Sequence, residues 1–254
     1  MNPTLHQALS RYAARSQILV ATDFDGVLAP LVQDPSASSP VAGSIEILHE
    51  LAALANVFVA IVSGRDLATL RRLTSISATD SITLIGSHGA EHHDDLPIEV
   101  DLDNTARERL AAVTEAVEQI VAGHAGTRIE RKPTGIALHT RGVAKSVALT
   151  ATAAARAVEL PGVHAIIGKQ VVELSVLSVT KGIALQALSA KRVTAATCYI
   201  GDDVTDEKAF AVLPARDGHV TVKVGPGETR ATYRINGPKQ VVAIFEHIKH
   251  VRSS

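Results

Sequence analysis

The stretch ILVATDFDGVLAP, residues 18–30, sets two demands that ordinarily conflict. Ile18, Leu19, Val20 and Ala21 form an apolar run, the signature of a strand buried on both faces in a parallel sheet. The run ends in two carboxylates one residue apart, Asp23 and Asp25, with Gly26 allowing a sharp turn immediately after. Two acids at the end of a buried strand repel each other, so a cation must sit against them or one of them must do chemistry. In open α/β sheets ligands bind beyond the carboxyl ends of the strands, where Asp23 falls if the strand stops there. An aspartate so placed can attack phosphorus, and a second carboxylate can deliver a proton to the leaving oxygen. Taken alone, D-x-D also fits a solvated turn or a calcium loop.

Outward from this strand, short β-branched runs alternate with Ala- and Leu-rich helical patterns, which predicts βαβ units and an α/β fold with a Rossmann-like parallel sheet. GSIEILHELAALA reads as a helix and NVFVAIVSG as the second strand. DLATLRRLTS reads as a helix opened by Asp66, and SITLIGSHGAE as the third strand. Near the C-terminus TCYIGDD and GHVTVKVG read as strands, TDEKAFAVL and PKQVVAIFEHIKH as helices. Residues 102–175 break the pattern with the order helix, strand, strand, helix, strand, strand. We therefore expect a core from residues 1–101 and 176–254, interrupted by an α+β (αββαββ) domain over 102–175 that caps the strand ends.

Composition narrows the function classes. Of 254 residues 46 % are hydrophobic, ample for a core, while aromatics at 3 % and no Trp mean that Ala, Val, Leu and Ile fill it. A formal net charge of −1 gives no electrostatic reason to expect nucleic acid or an anionic membrane as partner. No apolar run approaches the length of about 20 residues that spans a bilayer, and MNPTLHQALSRYAARSQ reads as a short helix. The single cysteine, Cys198, excludes an internal disulfide and suits a cytoplasmic location, its apolar neighbours predicting a buried thiol. No exposed apolar heptad pattern appears, which favours a monomer.

Three further features sit at predicted strand ends. Ser63-Gly64-Arg65 closes the second strand with a hydroxyl and a small loop suited to phosphate, although a plain Ser-Gly turn reads the same way. Lys181 opens a helix, where a fixed cation could hold phosphate and relieve repulsion among carboxylates. Asp202 and Asp203 end a strand, with Asp206 and Glu207 in the next turn; an acidic first helical turn explains the last two but not the first two. An oxygen-only cluster of this density favours Mg²⁺.

DFDGVL, SGR, the helix-opening lysine and GDDVTDE, in this order, resemble the haloacid dehalogenase-like phosphatases. The resemblance implies that Asp23 is the nucleophile forming an aspartyl-phosphate and that Asp25 is the general acid and base. It places Gly26, Ser63, Gly64, Arg65 and Lys181 at the phosphate. It assigns Mg²⁺ to Asp23, the backbone carbonyl of Asp25 and Asp202, supported by Asp203 and Asp206.

In the inserted domain, Arg128, Glu130 and Lys132 fall on one face of their strand, and Ala137, His139 and Arg141 share a face of the next. Lys169, Val171 and Glu173 share a face if their stretch is extended. Such a face of mixed charge either meets water or offers donors and acceptors to a hydroxyl-rich ligand. IERKPTGIALHTR, GKQVVEL and GSHGAE are similar to stretches of the trehalose-6-phosphate phosphatase family. That resemblance implies a sugar phosphate as substrate, with Glu130, Lys132, His139, Arg141, Lys169 and Glu173 on the sugar and His88 and Gly89 near the phosphate. The chain departs from the family at Thr140, where an aromatic is usual, and in SVLSVTKG, which lacks an arginine-proline before the lysine. Related phosphatases of sucrose phosphate or a mannosyl phosphate, and a binding module without turnover, are the competing readings. The intact set Asp23, Asp25, Lys181 and Asp202 weighs against the last. The His- and Asp-rich run from His88 to Asp95 crowds its ligands too closely for a preformed tetrahedral zinc site.

Overall fold

In the computed structural model, which describes residues 2–32, 34–92, 96, 102–177 and 179–254, the apolar run of the opening stretch forms a strand, Ile18–Thr22, buried at every position. In chain order the strands are β1 (Ile18–Thr22), β2 (Val57–Val62), β3 (Ile82–Gly86), β4 (Glu91–His92), β5 (Arg128–Lys132), β6 (Gly135–His139), β7 (His164–Gly168), β8 (Val171–Ser175), β9 (Ala196–Gly201), β10 (Val220–Val224) and β11 (Tyr233–Ile235). The helices are α1 (Pro3–Ala13), α2 (Ser44–Ala52), α3 (Leu67–Thr74), α4 (Asn104–Ala122), α5 (Lys145–Arg156), α6 (Lys181–Lys191), α7 (Asp206–Ala211) and α8 (Pro238–Arg252). The chain divides into two compact units, one of Met1–Ile98 with Thr180–Ser254 and one of Glu99–Val179.

The first unit is built on a seven-stranded sheet in the order β11-β10-β9-β1-β2-β3-β4, parallel throughout except for β4. β1 lies between β9 and β2, so the two halves of the chain step outward from it in opposite directions, which creates a switch point at its carboxyl end. Thr22 is in register with Ile61 of β2 and Ile200 of β9, so the residues that follow all three strands emerge at one edge. Alternation sorts the core into two layers. Ile18, Val20, Val57, Val59, Cys198 and Ile200 pack with α1, α2 and α8. Leu19, Ala21, Ala60, Val62 and Tyr199 pack with α6 and α7 on the other face. Capping follows the local sequence: Asp66 accepts from the Thr69 amide at the start of α3, and Thr180 from the Ile183 amide at the start of α6.

The sheet departs from the sequence reading in two places. The third strand ends at Gly86 rather than running through SHGAE. Ser87, His88 and Gly89 adopt φ of 46°, 57° and 119°, a left-handed run that ends the strand and sends β4 back antiparallel. The edge strand β11, only three residues long after a Gly- and Pro-rich loop, was too short to stand out as periodic.

The second unit pairs α4 and α5 with a four-stranded antiparallel sheet in the order β5-β6-β8-β7. Its elements follow the expected αββαββ order. Ile136, Leu138, Val172 and Leu174 bury one face of the sheet against Val113, Val117, Ala151 and Ala155. By register the opposite face carries the rows Glu130–Ala137–Glu173–Ile166 and Lys132–Gly135–Ser175–His164. No helix among the described residues is long and apolar enough to cross a membrane.

Candidate active site

Asp23 directly follows β1, and its backbone amide donates to the carbonyl of Ile200 at 2.8 Å, which ties the loop after β1 to β9. One carboxylate oxygen, Oδ1, accepts from the Phe24 amide at 2.6 Å, and Oδ2 accepts from Lys181 Nζ at 2.7 Å. The same ammonium reaches Asp206 Oδ1 at 2.8 Å. Lys181 is therefore not a solvated lysine but a buried one, 2 % exposed, shared between two carboxylates. Burial opposes its charge, yet Asp206 and Asp23 together outweigh that and hold the ammonium above its ordinary range.

Asp206, fully buried, collects four donors. Tyr199 Oη (2.6 Å) and Lys181 serve Oδ1, and the amides of Asp202 and Asp203, both at 2.8 Å, serve Oδ2. Against the effect of burial, Lys181 and these hydrogen bonds hold Asp206 below the usual carboxylate range. Asp23 shifts the other way. Burial pushes its carboxyl well above that range, Asp206 and Asp202 add to the push, and Lys181 only partly offsets it. Asp203, less buried, caps the Val204 amide at 2.7 Å.

Oxygens of Asp23, Asp202 and Asp206 lie within 4.8 Å of one another, the only such group of metal-ligand type among the described residues. The site fits a hard divalent cation: the donors are all carboxylate oxygens, and Asp23 carries unrelieved cost in its charged form. The carboxyl of Asp202 lies against Gly26, where a Cβ would approach its Cγ to 2.3 Å. Gly64 is similarly covered by the His88 imidazole, 2.6 Å from where a Cβ would be. Ser63 is buried after β2, its hydroxyl accepting from the Arg65 amide at 3.2 Å and its carbonyl from the His88 amide at 2.9 Å. Gly89 is buried in the same strained turn. Glu91 accepts from the Ser87 hydroxyl, so part of the His-rich run braces this turn; His93, Asp94 and Asp95 lie outside the described residues.

Asp25 and Arg65 form a pair that the sequence did not disclose. Arg65 Nε and the terminal nitrogen Nη2 donate to the two oxygens of Asp25 at 2.5 and 2.7 Å, and Nη1 donates to the Pro35 carbonyl at 2.9 Å. Ser38 adds a donor to Asp25 at 3.2 Å. Arg65, expected at the phosphate, thus has its donors turned to Asp25 and Pro35. The repulsion posed by D-x-D is met by two separate cations, Lys181 for Asp23 and Arg65 for Asp25.

Within the second unit, Lys132 and Glu173 form a buried ion pair across the sheet, and His139 Nε2 lies 2.7 Å from Glu130 Oε2. Although burial works against it, His139 and Lys132 hold Glu130 below the usual carboxylate range. Arg141 is half-buried just beyond β6, and Lys169 is exposed in the turn between β7 and β8. Sequence reasoning missed three side chains: Tyr199 on Asp206, Ser38 on Asp25, and Lys223, whose Nζ donates to the carbonyl of Asp202 at 2.6 Å. The available signal for the last was a lone charge in the apolar strand VTVKV.

Comparison with known proteins bears on the same residues. The family described as Trehalose-phosphatase matches residues 21–239. The chain is 30 % identical to the trehalose-6-phosphate phosphatase of Escherichia coli, over 89 % of this chain and 84 % of that protein. It is 32 % identical to an uncharacterized glycosyl hydrolase of Mycobacterium tuberculosis, covering 96 % of this chain but spanning only 20 % of that relative's length. The solved C-terminal domain of C. albicans trehalose-6-phosphate phosphatase shares the fold with a TM-score of 0.80 at 23 % identity, over 97 % of this chain and 96 % of that one. The match begins at Ala21, two residues before Asp23, and runs past Asp206 and Lys223, so it takes in the whole carboxylate and lysine cluster: the chain belongs to the trehalose-phosphatase family of the haloacid dehalogenase-like superfamily.

Proposed function

We propose that the chain hydrolyses trehalose 6-phosphate to trehalose and inorganic phosphate, with Mg²⁺ held by Asp23, the Asp25 carbonyl and Asp202. The observation that carries this reading is the burial of Asp23 between Lys181 and the carboxylates of Asp202 and Asp206, at the carboxyl edge of the central strand. Mg²⁺ supplies positive charge that keeps Asp23 ionised and withdraws electron density from the phosphoryl oxygens. Asp23 attacks phosphorus, the bond to the sugar oxygen breaks, and an aspartyl-phosphate forms. Lys181, with the Ser63 hydroxyl and the Gly64 amide, holds the phosphoryl oxygens. Asp206 does not take part directly; its carboxylate, accepting from Lys181, Tyr199 and the amides of Asp202 and Asp203, fixes Lys181 and the Asp202 loop.

The sugar alkoxide is a poor leaving group and needs a proton, which Asp25 gives; Asp25 then takes a proton from the water that hydrolyses the aspartyl-phosphate. Both oxygens of Asp25 here face Arg65, so proton delivery requires this carboxyl to turn from the guanidinium to the leaving oxygen. Arg65 is accordingly assigned to Asp25 rather than to phosphate. His88 and Gly89 shape the phosphate side through the strained turn that covers Gly64. The second unit supplies selection for the sugar through Glu130, Lys132, His139, Arg141, Lys169 and Glu173. A small sugar phosphate as the only partner, a monomeric state and a cytoplasmic location complete the reading; the buried Cys198 thiol, pushed up to about 12 by burial, is inert.

The test is phosphate release from trehalose 6-phosphate, sucrose 6-phosphate and a mannosyl phosphate, with Mg²⁺ and with EDTA. Trehalose 6-phosphate is expected to be preferred, EDTA to stop turnover, and Asp23→Asn to abolish it. Equal rates on all three sugars, or full activity in metal-free buffer, would contradict the assignment.

A further inference from the structure

Lys223 is buried in β10 at 5 % exposure, with its neighbours Val222 and Val224 in the main apolar layer. Carrying an ammonium into such a strand is costly unless it is paired and hydrogen-bonded. Its Nζ has two partners: the Asp202 carbonyl at 2.6 Å and Glu207 Oε1 at 3.6 Å. Glu207 is itself anchored, since its other oxygen accepts from the Arg230 amide at 2.7 Å. On the opposite side of Asp202, its own amide and that of Asp203 are bonded to Asp206. The amide and the carbonyl of Asp202 are therefore each held by a charged side chain, and together they fix the direction of its Cα–Cβ bond. That direction brings its carboxyl against Gly26 and into the group with Asp23.

We propose that Lys223 is a positioning residue for the cation site: it clamps the Asp202 carbonyl so that the carboxylate is aimed before the cation arrives. The proposal rests on the reading of Asp202 as a metal ligand. Positioning and charge make opposite demands here, which makes the idea testable by the sign of one effect. Lys223 is a positive charge beside a site for a positive ion, so its Coulombic influence weakens cation binding. If charge were its only influence, removing it would tighten the site. If it acts by aiming Asp202, removing it must loosen the site in spite of the relieved repulsion.

Lys223→Met keeps the length and bulk of the side chain and deletes the ammonium. Binding of Mg²⁺ alone, without substrate, is read from the Mg²⁺-dependent rise in Tm and from displacement of luminescent Tb³⁺. We expect Mg²⁺ affinity to fall about 10- to 100-fold, the usual effect of losing a group that orients a ligand. Lys223→Gln, which deletes the charge but leaves an amide donor on the same strand, should weaken Mg²⁺ several-fold in the same direction, whereas charge alone would tighten it. It carries the test if Lys223→Met does not fold. Mg²⁺ binding as tight as wild type, or tighter, in a folded Lys223→Met protein would overturn the positioning role while leaving the metal site standing. A wild-type protein whose Tm does not respond to Mg²⁺ would overturn the metal reading itself, and this proposal with it.

Discussion

At the scale of single residues, the site depends on side chains that are not there. Gly26 combines φ of 76° with a position where a Cβ would collide with the Asp202 carboxyl at 2.3 Å. Gly43, at φ 80°, has the same backbone conformation but open space around it. The two glycines separate backbone strain from displacement of Asp202. Alanine at either position should cost roughly 1–2 kcal/mol for the left-handed conformation alone, seen as a drop of several degrees in Tm. Gly26→Ala should in addition lose most of its Mg²⁺-dependent activity, while Gly43→Ala keeps it. If both variants kept the wild-type Mg²⁺ response, the close approach of Gly26 to Asp202 would have no functional weight.

At the scale of elements, two local arrangements lead to opposite expectations. The C-terminus of α6 closes with the Val193 amide on the Ala190 carbonyl and the Thr194 amide on Ser189, the pattern of a helix end that wants glycine. Val193 sits there at φ 52° and is 78 % exposed, so a β-branched side chain bears left-handed strain and gains little burial in return. Val193→Gly should therefore stabilise the protein by about 1 kcal/mol, measurable by denaturant unfolding, with activity unchanged. In the second unit the ladder places Glu130 and Glu173 in one row, but their partners differ. Glu173 faces Lys132 in a buried pair, and removing one member of such a pair typically costs about 3–5 kcal/mol. Glu130 is partnered by the half-exposed His139. Glu130→Ala should thus be the cleaner probe: a fall of about 10- to 150-fold in kcat/KM for trehalose 6-phosphate for one lost charged hydrogen bond, with p-nitrophenyl phosphate hydrolysis near wild type. Glu173→Ala should unfold at lower temperature as well. Equal losses on both substrates for Glu130→Ala would place its effect on folding or chemistry instead of sugar binding.

At the scale of the molecule, the first unit is closed by packing its two terminal helices together. His6 of α1 and His247 of α8 lie against each other with ring centroids 4.0 Å apart and planes tilted by 40°, and Ser10 Oγ lies 2.9 Å from His247 Nε2. Arg252 donates from α8 to the carbonyls of Ala13, the last residue of α1, of Arg15 just beyond it, and of Ala55. Burial, the facing His6 and the nearby His250 hold His247 below the ordinary histidine value. The folded state therefore binds a proton at His247 less readily than the unfolded chain does. Its contribution is fully present above the unfolded value near 6.5 and is lost as pH falls through that value towards the lower folded one. The Tm should accordingly decline as pH falls through about 6.5, with His219, which burial also holds below that value, adding to the decline, and His247→Gln should make it shallower. An unchanged slope in the variant would assign the acid sensitivity to other groups.

How much of this was legible beforehand follows from the range of the forces involved. The apolar runs of β1, β2 and β9, the αββαββ order and the acids at strand ends are local patterns, because burial on one or both faces of a strand imposes its period on neighbouring residues. The charged rows of β5, β6 and β8 were visible for the same reason. Partnerships across the chain were not. Lys181 and Asp23 are 158 residues apart, Arg65 and Asp25 are 40 apart, and nothing local distinguishes their charges from solvated ones. The left-handed turn at Ser87 and His88 escaped notice because neither residue type announces positive φ; tertiary hydrogen bonds to Arg65 and Ser63 carbonyls hold it. Sequence alone thus determined which strands are buried and where acids end them. Only the tertiary structure decided which cation answers which acid, because a buried charge takes its partner from whatever the folded chain brings within reach.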